Sequence, residues 1–330
     1  MHGAQKPVDR PWLTADANDR GSGCPPVKAL LLATALLLIP AQATLAAITI
    51  ITTTQDLESL TKAVGGDLVQ VVGLVPPAAN AEAYEPRPGD LLRLHGAALI
   101  VRVGLGYDDW LDRLLAQHGD TRLMHGNPGQ VDASAGVPLL DVQSRSVEVQ
   151  RGGHAHGLAN PHYWLDPANA RTITASIADG LARVAPDQAA RFAANRQDFL
   201  ATLDARMAGW EVALAPYAAT AIVTYHNGWA YFARRFRLNI VAVIEPKEGV
   251  PPSPLRLARI AGEMRAAGVK SVLIEPQEPR EPADALAARC GAQVAVLAGS
   301  VGDLPAAATY LALFDTNIAA LLASLNRSGA

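Results

Sequence analysis

Between Pro186 and about Ala215 the chain reads PDQAARFAANRQDFLATLDARMAGWEVALA, with no proline after its first residue. Phe192, Phe199, Leu203, Met207 and Trp210 fall at helical spacing along it. A helix of that length runs to roughly 45 Å at 1.5 Å per residue, which is long for an element inside one small domain. It therefore divides the chain. Residues 47–185 are expected to form one α/β lobe, 186–215 the linking helix, and 216–330 a second α/β lobe. Residues 1–46 are expected to lie outside the fold.

Each flank of the helix alternates strands with helices, the mark of parallel βα units. Before it, Ile48–Thr54, DLVQVVGLVP, residues 98–104 and VPLLDV near 137–142 read as strands. The helices between them start at Gln55-Asp56, at GDLLRLHGA and at GYDDWLDRLLAQHG, and one more follows Asp166 and Pro167. After it, Ala221–Tyr225, NIVAVIEP, VKSVLIEP and AQVAVLAG read as strands, each followed by a helix. The expected fold class is α/β: two similar lobes with small, mainly parallel sheets flanked by helices, joined by one long helix. In open sheets of this kind ligands sit outside the carboxyl ends of the strands.

Composition removes several function classes. Charged residues are 18% and the net charge is -3, with no basic run, so nucleic acid is not an expected partner. No phosphate loop, dinucleotide motif or nucleophile–base pair appears, and GLGYDD lacks the G-x-G-x-x-G spacing. Two cysteines, Cys24 and Cys290, allow no cysteine-built zinc site, and Cys24 precedes the first apolar run. That run, residues 29–41, is too short to span a bilayer and is followed by small residues at Ala41, Ala43, Ala46 and Ala47. It is expected to be a cleaved signal peptide, cut after Ala43 or Ala46, which places the protein in the periplasm. The polar residues before Val27 do not suit a signal, and translation is expected to start at Val27.

The residues that follow strands carry the chemistry. NPHYWLDP, residues 160–167, presents His162 after an Asn-Pro turn, and RGGHAHG adds His154 and His156 just upstream. Neutral imidazole is the commonest side-chain ligand for a transition metal. Glu82 and Glu85 follow the second strand, His226 follows AIVTY, Glu245 ends NIVAVIE, and Glu275 ends VKSVLIE. Two imidazoles and two carboxylates make an N/O set suited to a divalent cation. Each residue also has a plain structural reading: His226 as a turn residue, Glu275 as a strand-end cap, Glu85 as a partner of its own turn. His95, His118 and His125 have no partner pattern.

YEPRPGDLLRL, VGLGYDDWLDRLL, NPHYWLDPANA, TYHNGWAYFARRF, IEPKEGVPPSP and VLIEPQ occur in the order seen in the metal-binding solute receptors of bacterial ABC importers for zinc and manganese. The resemblance runs from about residue 47 to the C-terminus. It implies a metal cleft between the lobes, a rigid linking helix, a monomeric receptor, and delivery to an ABC permease driven by its ATPase. It assigns His162 and His226 as metal ligands, and a histidine at the third position implies Zn(2+), with Mn(2+) as the alternative. Two positions depart from the family. Its usual first histidine is replaced by Glu82, and its aspartate after the last strand is absent, VLAGSVGD offering Ala298, Ser300 and, later, Asp303. Glu275 is the expected substitute ligand, with water as the alternative, and His154 and His156 are expected to capture metal and pass it to His162. The rival readings are a receptor for a chelated metal or small organic ligand, and a secreted metal-dependent hydrolase with Glu275 or Glu245 as its base.

Overall fold

The computed structural model describes residues 47–141, 159–247 and 249–327. The β-branched run Ile48–Thr52 forms β1, and Thr54 caps α1 (Gln55–Gly65) by accepting the Leu57 N–H at 3.3 Å. The first lobe continues with β2 (Val69–Gly73), α2 (Pro88–Arg93), β3 (Leu99–Arg102), α3 (Trp110–His118) and β4 (Gln130–Asp132). All neighbours pair in parallel, in the order β2-β1-β3-β4.

One expected strand is corrected here. Residues 137–141 of VPLLDV form no strand, and Val142 lies outside the described residues; the fourth strand is Gln130–Asp132. Pro138 has no N–H to give a sheet. The Leu140 N–H donates to the Tyr231 hydroxyl at 2.9 Å, and its carbonyl accepts from the Asn160 N–H at 3.0 Å. The backbone hydrogen bonds of Leu140 thus go to the second lobe and to the histidine loop.

The chain then passes through α4 (Ala170–Val184) into the long helix α5 (Ala189–Leu214), with a single 3-10 turn at each end. The second lobe holds β5 (Ala221–Thr224), α6 (Ala230–Phe236), β6 (Asn239–Val243), α7 (Pro254–Ala267), β7 (Ser271–Ile274), α8 (Arg280–Cys290), β8 (Gln293–Val296) and α9 (Tyr310–Arg327). Its parallel order, β6-β5-β7-β8, repeats that of the first lobe.

α5 packs on α1 and α4 of the first lobe and on α9 of the second. Phe192, Leu203 and Trp210 of α5 belong to one buried cluster that runs from Ile50 and Leu57 to Trp229, Phe232 and Phe314. A smaller cluster around Val223, Ile260, Val272 and Leu286 lies within the second lobe. Polar contacts add to this shared core. The Asp56 carboxylate accepts from the Val301 N–H at 3.0 Å and from the Ser300 hydroxyl, and the Trp164 indole donates to the Gly299 carbonyl at 3.0 Å. Among the described residues no helix is long and apolar enough to cross a membrane.

Candidate metal site

Glu82 stands on a turn closed by its own sequence. The Asn80 side-chain oxygen accepts from the Glu82 N–H at 2.9 Å and the Ala83 N–H at 3.1 Å, an Asx-turn. The Ala81 carbonyl takes the Trp110 indole N–H at 2.9 Å, which fastens the turn to α3. Downstream, Asp90 accepts from the Tyr84 hydroxyl at 2.8 Å and the Arg87 N–H at 2.7 Å, so YEPRPGD folds back on itself. Glu85 points out of this loop and is exposed.

His162 sits in the Asn-Pro turn, and Asn160 fixes it. The Asn160 amide nitrogen donates to the Asn227 carbonyl at 2.8 Å, so its oxygen must face the other way. That oxygen is 3.0 Å from the His162 backbone nitrogen and 3.1 Å from Nδ1. The ring therefore carries its proton on Nδ1 and presents Nε2 to the cleft. Tyr107 and Trp164 flank the imidazole at ring-centroid distances of 5.5 and 5.2 Å. Downstream, Asp166 caps the next turn through the Ala168 N–H and is clamped by Arg235, with Nε at 2.7 Å and Nη2 at 3.2 Å.

His226 comes two residues after β5, opposite His162. Ring centroids are 5.0 Å apart, and Gly228 leaves room for this approach: a Cβ there would meet both imidazoles at a tight 3.2 and 3.3 Å. Its Nδ1 lies 3.1 Å from Glu245 Oε2. Its Nε2 lies 3.9 Å from Glu82 Oε2, and the His162 Nε2 lies 3.8 Å from the same oxygen. Ligand atoms of Glu82, His162 and His226 all fall within 4.8 Å of one another. Their side chains are only 9%, 11% and 19% exposed.

The surrounding cleft, of about 250 Å³, also takes Glu245, Glu275, Glu278 and Asp303 into its lining, and among the described residues no lysine or arginine lines it. Burial is the first cause that pushes the carboxyls of Glu275 and Glu278 above the usual range, and the Glu275 charge raises Glu278 further. Burial likewise lifts Asp303 to about 6. Several acids enclosed together, with no fixed cation among the described lining residues, favour occupation by a cation.

The structure thus brings together three of the four expected ligands. Glu275 lines the same cleft but is not part of the close group. It accepts from the Gln277 amide at 2.7 Å and lies against Gly299, where a Cβ would come within 2.3 Å of Oε2. Asp303 accepts the Ser300 N–H at 2.8 Å and so serves the loop after β8. His154 and His156 lie outside the described residues. Sequence reasoning gave no role to Asn160 and placed Glu245 at the cleft, with a task only as the base of the rival hydrolase reading. The Asn-Pro step and the strand-end position were the only signals for either.

The family model for ZnuA, zinc-uptake complex component A, periplasmic, matches residues 50–324. The zinc-binding protein AdcA of Streptococcus pyogenes is 23% identical over 291 residues, covering 85% of this chain and 56% of its own length. The chain thus spans little more than half of that relative. The manganese-binding lipoprotein MntA of Halalkalibacterium halodurans is 24% identical over 284 residues, covering 84% of this chain and 88% of its own. Among solved structures, FpvC of Pseudomonas aeruginosa in complex with Mn2+ superposes with a TM-score of 0.71 at 28% identity, covering 86% of this chain and all of its own.

Proposed function

The chain belongs to the ZnuA family, zinc-uptake complex component A, and from that premise we propose that it is a periplasmic solute receptor, which captures one divalent metal ion between its lobes and delivers it to the permease of an ATP-driven importer. It is a binding protein and not an enzyme. The observation that carries this is the convergence of Glu82, His162 and His226, from three separate loops and both lobes, with ligand atoms within 4.8 Å.

The ion preferred is zinc. Two imidazole nitrogens and carboxylate oxygens suit it, and four such ligands, or three with a water, complete a tetrahedral site. Glu275 is the fourth ligand in this proposal, reached by a turn of its carboxylate away from Gln277. The acid-lined cleft, about 250 Å³ in volume, suits a bare cation better than an anionic chelate, which needs more room and positive partners. Manganese is the second reading. Glu82 puts a hard oxygen where the family usually has a histidine, and MntA and FpvC carry manganese in their descriptions.

Calorimetric titration of the metal-stripped protein with zinc and with manganese tests both. One zinc per chain is expected, with affinity lowered more than about 100-fold by His162→Ala or His226→Ala, beyond the range of a lost supporting partner. Zinc binding unchanged in both variants would sink the proposal. Tighter binding of manganese than of zinc would move the second reading to first place.

A further inference from the structure

We infer that Glu245 is the positioning residue of the second lobe's imidazole, holding His226 as the tautomer with its proton on Nδ1 so that Nε2 faces the ion. This rests on the reading of His226 as a ligand. The two ring nitrogens face opposite carboxylates, Nδ1 toward Glu245 at 3.1 Å and Nε2 toward Glu82 at 3.9 Å. An ionised carboxylate only accepts, so Nδ1 must be the donor and Nε2 the lone pair. Glu245 stands on the far edge of the ring from Nε2 and cannot share an ion with it. It is a support and not a further ligand.

The support is built into the sheet. Beyond the strand ends the ladder continues, with the Ile244 N–H on the Thr224 carbonyl and the Glu245 N–H on the Tyr225 carbonyl, both at 2.9 Å. That register sets Glu245 beside the residue preceding His226. Its side chain is 11% exposed. Its second oxygen, Oε1, accepts the Gly249 N–H, so both oxygens are committed, one to the imidazole and one to the loop that walls the cleft.

The doubly used carboxylate makes the test sharp. In Glu245→Gln the Gly249 N–H still requires an acceptor, so the amide turns its oxygen there and its NH2 toward Nδ1. The imidazole must then accept at Nδ1 and carry its proton on Nε2, the nitrogen needed for metal. A carboxylate-to-amide change behind a catalytic histidine acts by the same tautomer switch. Long-range proton–nitrogen correlation spectra of the metal-free protein at pH 8 read the tautomer directly. Expected are Nδ1–H for His226 in the wild type, Nε2–H in Glu245→Gln, and a mixture in Glu245→Ala. Zinc affinity is expected to drop about 10–100-fold in both variants, with Gln no better than Ala. The His162 signals serve as the check that the fold is kept. An unchanged Nδ1–H in Glu245→Gln would overturn the inference, as would a switched tautomer with unaltered zinc affinity. Should His226→Ala also leave zinc affinity unaltered, the ligand reading falls; the tautomer result in the metal-free protein is read without it.

Discussion

In the second lobe the cleft residues stand at or just beyond strand ends: His226 two residues past β5, Glu245 two past β6, Glu275 directly after β7. Backbone pairing that continues past β5 and β6 places the first two, while the Glu275 N–H donates to the Glu278 carboxylate at 2.7 Å. In the first lobe neither candidate ligand has that help. Glu82 lies on an Asx-turn well beyond β2, and His162 lies on a long excursion between β4 and α4. Side-chain hydrogen bonds hold both. Two lobes with one strand order thus reach one cleft by different means, sheet register on one side and polar loop contacts on the other. Damage to supporting side chains should therefore weaken the first lobe more than the second, and the following tests address that asymmetry in order of expected effect.

The largest effect is expected at Arg102, at the end of β3 and only 3% exposed. It pairs with Asp108 at 3.1 Å, Asp109 at 3.2 Å and Asp112 at 2.7 Å, and Asp108 itself is fully buried while capping the Val103 and Gly104 N–H groups. This holds the loop bearing Tyr107, the ring packed on His162. Arg102→Met should cost about 3–5 kcal/mol in denaturant unfolding, because a buried carboxylate loses its cation. The nearest equivalent in the second lobe, Arg256, is half-buried and donates to the Ile244 and Val243 carbonyls, both at 2.8 Å. Arg256→Met should cost about 1.5–3 kcal/mol. Equal costs would break the asymmetry.

The next effect separates the supports of the two histidines. Asn160→Ala removes the acceptor of the His162 ring proton and also the bond to the Asn227 carbonyl, which ties the two histidine loops together. Zinc affinity should fall by about 10–100-fold, with a melting temperature lower than that of Glu245→Ala. Glu245→Ala removes a support from a residue the sheet already places. If Glu245→Ala proves the less stable protein, the sheet does not do the placing.

Much of this was legible in the chain. β-branched runs between glycine and proline breaks located seven of the eight strands, and the long unbroken helical pattern located α5. β4 escaped because Gln130–Asp132 has one apolar residue and no periodicity to read, whereas VPLLDV was apolar and held elsewhere by partners distant in sequence. In the site, strand-end placement and resemblance brought out Glu82, His162 and His226. Asn160 stayed silent, and Glu245 was visible only as a strand-end acid, because their roles are hydrogen bonds, and the bond from Asn160 to Asn227 spans 67 positions that no local pattern encodes. Glu275 was visible as a strand-end acid, but its seat against Gly299 depends on packing between the loops after β7 and β8.

That seat gives the third test. A Cβ at residue 299 would meet the end of the Glu275 side chain and not backbone, so Gly299→Ala should move the carboxylate at a stability cost within about 1 kcal/mol. If Glu275 is the fourth ligand, zinc affinity should drop roughly tenfold, the low end for a displaced group near a metal. Unchanged affinity in Gly299→Ala would leave the second lobe with His226 as its one ligand and sharpen the contrast between the lobes.

The smallest effect is expected where the lobes meet. Burial raises the Asp56 carboxyl to about 7, opposed by the hydrogen bonds from Ser300 and the Val301 N–H. A folded-state pKa above the unfolded value near 3.8 means that the folded protein binds more protons between those limits. The stability Asp56 contributes is therefore fully present below about pH 4 and is lost as pH rises through about 7. Asp56→Asn has no proton to lose there. Its stability relative to wild type should be within about 1 kcal/mol at pH 8 and fall further behind at pH 5, other titrating acids cancelling in the difference. Urea unfolding of both proteins at the two pH values measures it. A gap that widened instead toward pH 8 would show that Asp56 gains from its charge, and that the contact between α1 and the loop after β8 is an ionic anchor like that of Arg102 and not a neutral hydrogen-bonded seam.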